Sequence, residues 1–387
     1  MPASTSSGRV VLLASVLKPL NDTRMLGKFA RTLLARPGVV VHVAGRRAST
    51  PKKAPHNLYT HELLAGSRLS WQRLLAQWRY WQLLRRLRPA LVFVHAPELL
   101  PLTLLWQKLT PGGLFIYDVR ENYALNIQTQ AVYPAWIRDT LAGLVRQIET
   151  WAAQQASAVV LAERSYADEL PFGQSERTVI LENKYQPPQG ETPQFAPQPL
   201  PQPGQKLQLL YSGTISELNG VFEALKLTRQ LQTIWPQTRL TIIGYCQQPD
   251  LLRRFQEAIA SSGDGVILIG GDTLVPHEQI VDAIHQSHIG LLPYRPHAST
   301  RRCRPTKLFE YMAHGLPVLI PPNPLWEELV SKHGAGVVLE FDRLTTANVR
   351  AVANAVAGHR FYPNGIPTEV FWDTEAQKLN QVIDSIW

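Results

Sequence analysis

Short apolar runs alternate along the chain with longer stretches in which apolar positions recur at helical spacing. In the first half the runs cover 10–15, 39–44, 91–95, 114–117, 158–161 and 178–181; in the second half they cover 207–211, 239–243, 266–269, 289–293, 317–320 and 336–339. Runs this short and this apolar suit strands buried on both faces, and the stretches 23–35, 69–88, 138–155, 221–233, 279–287 and 307–314 have the helical period. The alternation predicts α/β architecture with two doubly wound, Rossmann-like domains. Ligands of such sheets lie beyond the carboxyl ends of the strands, so the residues that follow each run are the first place to look for chemistry.

A boundary falls at 186–205, where seven prolines and six glutamines leave few side chains that can pack. This segment reads as an extended connector between an N-terminal domain, 1–185, and a C-terminal domain, 206–387. Length agrees, because 387 residues exceed what one core usually serves. With 45% hydrophobic and 18% charged residues the chain can fill two cores, which sets aside disordered and fibrous classes. Cys246 and Cys303 are its two cysteines, too few for a disulfide framework or a multi-cysteine zinc site. The first apolar run is too short for a membrane span or a signal peptide, and the reading is a cytoplasmic protein.

Charge changes this picture. The net +9 is divided as +11 over residues 1–190 and −2 over the remainder. A positive field of this kind suits nucleic acid, anionic lipid or a phosphorylated substrate, and no nucleic-acid-binding motif stands out to favour the first.

Several strand ends carry candidate groups. Ser212-Gly213-Thr214 and Gly220 lie between a strand and a helix, where glycine permits close approach of a ligand and a helix N-terminus offers N–H groups to an anion. After the run 289–293 come Arg295, Arg301, Arg302, Arg304 and Lys307, crowding the start of a helix near Pro305-Thr306. Guanidinium forks, an ammonium and a helix dipole together suit a diphosphate. Glu310, one turn inside, can accept from a ribose diol. In the first half His95 and Glu98 follow one strand, and Asp118, Arg120 and Glu121 follow the next. Carboxylates and a histidine at these strand ends can exchange protons with a bound ligand. Each feature has a plainer reading: an ordinary turn, a solvated basic loop, a strand-end histidine with its hydrogen bonds satisfied.

Taken together, these motifs resemble a family. The run from Pro305 to Ala313, followed by Gly315-Leu316-Pro317-Val318, is similar to the donor-site signature of GT-B glycosyltransferases, in particular the retaining, metal-independent family 4. Tyr211-Ser212-Gly213-Thr214, Ile242-Ile243-Gly244 and Ile289 to Pro293 fit that family's second domain in order. Val94 to Glu98 and Tyr117 to Asn122 resemble two turns of its first domain. The resemblance implies two Rossmann-like domains facing each other across a cleft, with the last helix crossing back to the first domain. It further implies transfer of a sugar from a nucleotide diphosphate sugar to a carbohydrate or lipid-linked acceptor, with retention and no cofactor or metal, in bacterial surface polysaccharide assembly. Glu310 would then hold the donor ribose, and Arg301, Arg304, Lys307, Leu308 and the backbone of Gly213 and Thr214 would face the diphosphate. Gly244, Tyr245 and the loop at Gly270-Gly271 would hold the base, and His95, Glu98, Asp118 and Glu121 would be catalytic. Three positions depart from the pattern: Arg302 stands where the family's first donor-site acid belongs, Asn219 where a diphosphate lysine belongs, and Arg120 where a histidine belongs. They keep open a non-catalytic GT-B subunit, with a GT-B nucleotide-sugar epimerase as a further alternative.

The stretch 68–88 combines three tryptophans, leucines and six arginines. It reads as a crossover helix packed on the first sheet, as a basic amphipathic helix in a membrane interface, or as both on different faces. Arg46, Arg47, Lys52 and Lys53 add to an expected contact with an anionic membrane surface.

Overall fold

The computed structural model describes residues 8–49, 54–66, 71–129, 133–188, 196–197, 200–202, 204–261, 263–297, 301–358 and 360–387. Half of the proline-rich segment, together with Lys52, Lys53 and Arg68, lies outside these described residues. The chain divides into two compact units: residues 1–186 with 372–387, and residues 187–371.

The first unit is built on a parallel sheet of β1 (Arg9–Pro19), β2 (Val39–Arg46), β3 (Leu58–Leu64), β4 (Leu91–Val94), β5 (Leu114–Val119), β6 (Ala158–Leu161) and β7 (Thr178–Ile180). Their order is β3-β2-β1-β4-β5-β6-β7. Val11 to Ala14, Leu91 to Val94 and Val159 to Leu161 are fully buried, which is why these segments read as continuous apolar runs. β3 has no counterpart in the sequence reading: an edge strand needs no unbroken apolar run, and Tyr59 and Thr60 are exposed.

Where one helix is expected over 23–35, a π-helical segment, Met25–Ala30, leads directly into Arg31–Leu34. The Asp22 carboxylate accepts the N–H groups of Arg24 (3.0 Å) and Met25 (2.9 Å), anchoring its start. The helix Asp373–Ile386 belongs to this unit and packs Leu379 and Ile383 into the core with Phe29 and Leu33. It is pinned by Trp372 Nε1 donating to Thr32 Oγ1 at 3.0 Å and by a buried Lys184–Glu375 ion pair at 2.6 Å.

The second unit carries β8 (Leu207–Thr214), β9 (Thr238–Tyr245), β10 (Val266–Gly271), β11 (Ile289–Leu291), β12 (Val318–Ile320) and β13 (Gly336–Val338), in the order β10-β9-β8-β11-β12-β13 and parallel throughout. In both sheets the order reverses beside the first strand, between β1 and β4 and between β8 and β11. The crevice that opens at such a reversal is the usual ligand site of a doubly wound sheet, and the residues described next lie at the ends of these strands.

Helix Gln72–Leu87 shows both faces expected of its sequence. Ala76, Tyr80, Leu83 and Leu84 are buried, whereas Trp71, Leu74, Leu75 and Trp78 are exposed at i, i+3, i+4 and i+7 spacing. Among the described residues no helix is long and apolar enough to cross a membrane.

Candidate functional site

In the second unit three glycines stand side by side. Gly213 of β8 pairs with Gly244 of β9, which pairs with Gly270 of β10. A Cβ on Gly244 would lie 1.7 Å from the Gly213 carbonyl oxygen, so no side chain fits between these strand ends. Gly213 has φ +102°, and a Cβ there would meet the Lys307 Cε at 2.8 Å; the lysine stem crosses directly over it. The result is a bare backbone shelf beside an ammonium.

Lys307 comes from helix Thr306–Ala313, which follows Pro305 at its N-cap. Its Nζ donates to Glu310 Oε2 at 2.8 Å, and His277 Nε2 lies 2.6 Å from Glu310 Oε1. Burial opposes the charge on Glu310, but Lys307 and His277 outweigh it and hold the carboxyl well below its usual range. Tyr311 fastens the same helix to β8, its hydroxyl taking the Ser212 N–H at 3.0 Å and lying 2.8 Å from Ser212 Oγ. The Thr214 carbonyl accepts from Tyr211 Oη at 2.8 Å and Asn219 Nδ2 at 3.1 Å. Asn219, where a diphosphate lysine was expected, therefore braces the loop. Tyr245 closes β9 in register with Thr214 and Gly271.

The arginine loop differs from the sequence expectation. Arg304 is buried, and it donates to the Leu325 carbonyl (3.1 Å) and pairs with Glu328 (2.8 Å), both on helix Pro324–Lys332. A guanidinium removed from water needs such partners, and this one is spent on them rather than on the shelf. Arg295 pairs with Glu223 at 2.6 Å. Arg301 and Arg302 are exposed. The Leu308 side chain is in the core and its N–H donates to the Pro305 carbonyl at 2.9 Å. Of the expected donor groups, the structure brings together Gly213, Thr214, Gly244, Tyr245, Lys307 and Glu310.

In the first unit the expected catalytic groups form a buried electrostatic cluster. His95 Nδ1 lies 2.6 Å from Asp118 Oδ2, and both residues are fully buried. Arg24 grips the same carboxylate, Nε to Oδ2 at 2.9 Å and Nη2 to Oδ1 at 2.7 Å, and donates to the Leu181 carbonyl at 3.0 Å. Burial opposes ionisation of Asp118, yet Arg24 and His95 hold its carboxyl far below the ordinary range. Burial pulls the His95 pKa down, against the pull of Asp118. A neutral ring that donates from Nδ1 to Asp118 keeps Nε2 as an acceptor, and Nε2 is buried without a hydrogen-bond partner among the described residues. Both Asp118 oxygens are engaged inside the domain, by Arg24 and His95. Glu121 is held by Lys18 (2.7 Å) and Asn126 (3.0 Å), and Glu98 by Arg73. Arg120 forms a bidentate pair with Asp22 at 2.9 and 3.0 Å.

The sequence reading missed His277, Lys18, Asp22, Arg24 and Arg73. The strand-end rule points to Lys18, Asp22 and Arg24 once it is applied beyond the first apolar run, and to His277 beyond Gly271. Arg73 has no such signal, since it comes from a crossover helix.

Residues 206–358 match the family model described as glycosyl transferases group 1. No curated protein sequence matches the chain. Among solved structures, sucrose-phosphate synthase from Thermosynechococcus elongatus superposes with a TM-score of 0.68 at 13% identity, covering 98% of this chain and 99% of that one. Anabaena HepE in complex with UDP and glucose gives 0.61 at 12% identity, covering 98% and 100%. WaaG, a glycosyltransferase involved in lipopolysaccharide biosynthesis, gives 0.59 at 15% identity, covering 96% and 95%. At such identities the likeness is one of fold. With the sheet orders and the motif region in agreement, the chain has the GT-B fold, and its second domain is similar to the glycosyl transferases group 1 family, family 4 among them.

Proposed function

We propose that this protein transfers a sugar from a nucleotide diphosphate sugar to a carbohydrate or lipid-linked acceptor, with retention and without a metal ion, in bacterial surface polysaccharide synthesis. The observation that carries this reading is the Lys307–Glu310–His277 cluster beside the glycine shelf, inside the region matched to the family. In this reading Lys307 balances charge on the leaving diphosphate. Glu310 accepts from the ribose, and the backbone at Gly213, Thr214, Gly244 and Tyr245 receives the rest of the nucleotide. The bond from the anomeric carbon to the diphosphate breaks, the acceptor oxygen bonds that carbon, and the acceptor proton leaves with the diphosphate. The UDP and glucose in the HepE complex are of the donor class proposed here.

A thermal-shift panel of UDP, GDP, ADP and TDP, then of their sugars, tests the donor assignment. One base is expected to raise the melting temperature in a concentration-dependent way, and transfer with its sugar is expected to persist in EDTA. A flat panel overturns the donor assignment, and a strict requirement for Mg²⁺ or Mn²⁺ overturns the metal-free account. A non-catalytic subunit is the second reading, favoured by Asn219 and Arg120 being spent on Thr214 and Asp22. Donor binding without hydrolysis or transfer would select it.

The lipid-linked form of the acceptor is supported by the exposed Trp71, Leu74, Leu75 and Trp78 on a domain of excess positive charge. Flotation with anionic vesicles at low salt, absent with neutral ones, is the expected result. Equal recovery with both removes the membrane from the proposal.

A further inference from the structure

Beside β3, at the edge of the first sheet, helix Gln72–Leu87 leaves an open groove of about 950 Å³. β3 lies two strands from β1, about 10 Å of sheet at the usual strand spacing. We propose that this groove is a second carbohydrate site, one that takes an anionic saccharide bearing carboxylate, phosphate or sulfate groups. The proposal stands on the first domain alone and does not depend on the donor site.

The lining is what recommends it. Thr60 and His61 come from β3, and Trp78, Trp81, Arg85 and Arg86 from the helix. Positions 78, 81 and 85 follow i, i+3 and i+7, so two indoles and a guanidinium share one helix face. Trp78 is 58% exposed. A flat indole face suits the apolar face of a sugar ring, and a guanidinium fork matches a carboxylate or phosphate bidentately.

The charge in the groove is also unmatched. Arg73 is held by Glu98, Arg79 donates to the Leu63 carbonyl at 2.9 Å, and Glu62 of the groove is paired with Arg47. Arg85 and Arg86 have no ion pair among the described residues, and both are exposed. Behind them His42 Nδ1 and His61 Nε2 lie 2.7 Å apart. Burial first, then His42 and the positive charge of Arg86, pulls the His61 pKa down to about 4. At neutral pH the cations facing the groove are therefore arginines with permanent charge. Trp78 is shared with the outward stripe of Trp71, Leu74 and Leu75, but in the groove its neighbours include Thr60, His61, Gln82, Arg85 and Arg86, and this polar, cationic company favours an anionic saccharide over a bilayer surface.

Titration calorimetry on the full chain tests the idea with four probes: a hexagalacturonate, a heparin hexasaccharide, neutral maltohexaose and phosphatidylglycerol vesicles. At least one anionic saccharide is expected to bind ten times more tightly than maltohexaose, and to weaken as salt rises. The double variant Arg85→Gln/Arg86→Gln is expected to lose at least tenfold. Trp81→Ala, which keeps every charge, is expected to lose at least fivefold. The circular-dichroism spectrum and the ligand-free melting temperature, expected to be unchanged in both variants, report that they are folded. Equal affinity for charged and neutral probes overturns the proposal, as does unchanged affinity in Trp81→Ala, which would reduce the effect to diffuse charge. So does binding only to phosphatidylglycerol vesicles with loss in the double variant, which would make the groove part of a lipid surface.

Discussion

Replacing Lys307 with alanine is expected to weaken binding of the nucleoside diphosphate about ten- to a hundredfold, while the matching nucleoside binds almost as before. The lysine stem lies across Gly213, and the largely covered ammonium sits at the start of a helix, so a diphosphate on the glycine shelf would meet it. Losing a charged hydrogen bond costs about 1.5 to 3 kcal/mol, which is that range of affinity. Glu310→Gln makes the contrast. A carboxylate that accepts from a ribose diol contributes to nucleoside and nucleotide alike, so this variant is expected to weaken both by similar factors. Calorimetric titration with the nucleotide chosen by the thermal panel and with its nucleoside separates the two roles. Unchanged diphosphate affinity in Lys307→Ala would remove the lysine from the site. An equal loss for both ligands would mean that Lys307 acts only by holding Glu310.

What the sequence disclosed depends on distance along the chain. Central strands such as β1, β4 and β6 are buried on both faces and write themselves as apolar runs; the edge strands β7, β10 and β13 are partly exposed yet keep enough apolar residues to be read, whereas β3 exposes Tyr59 and Thr60 and escapes. Local groups of the site were also legible. Gly213 and Gly244 end strands, and Lys307 and Glu310 are one helical turn apart, so spacing alone brings the last two together. Partners far away in sequence were not legible. Arg24 meets Asp118 across 94 positions and Lys18 meets Glu121 across 103, and nothing in either local pattern names the other. The arginine loop failed for a related reason. A run of cations beside a helix start looks like one anion site, but each cation answers to whichever acid folding brings near, and for Arg304 that is Glu328.

Asp118→Asn is expected to destabilise the protein by about 3 to 5 kcal/mol, despite the nearly identical shape of the two side chains. Both Asp118 oxygens accept from Arg24, so in either orientation the asparagine amide nitrogen faces a guanidinium N–H. One buried positive charge then loses its counter-charge, a change known to cost this much in other proteins. Total stabilities are commonly about 5 to 15 kcal/mol, which makes the loss a large fraction. Removing both charges with Arg24→Met/Asp118→Leu is expected to recover much of it, because an apolar pair has no uncompensated ion to bury. Protonation provides an independent check of sign. The folded-state pKa of Asp118 is depressed, so its contribution is complete above its ordinary value of about 3.8 and is lost as pH falls through the lower folded value. Urea denaturation should therefore separate wild type from Asp118→Asn widely at pH 7 and less at strongly acid pH. A gap under 1 kcal/mol at pH 7, or one that widens on acidification, would show that the Arg24–Asp118–His95 cluster does not hold the first domain together.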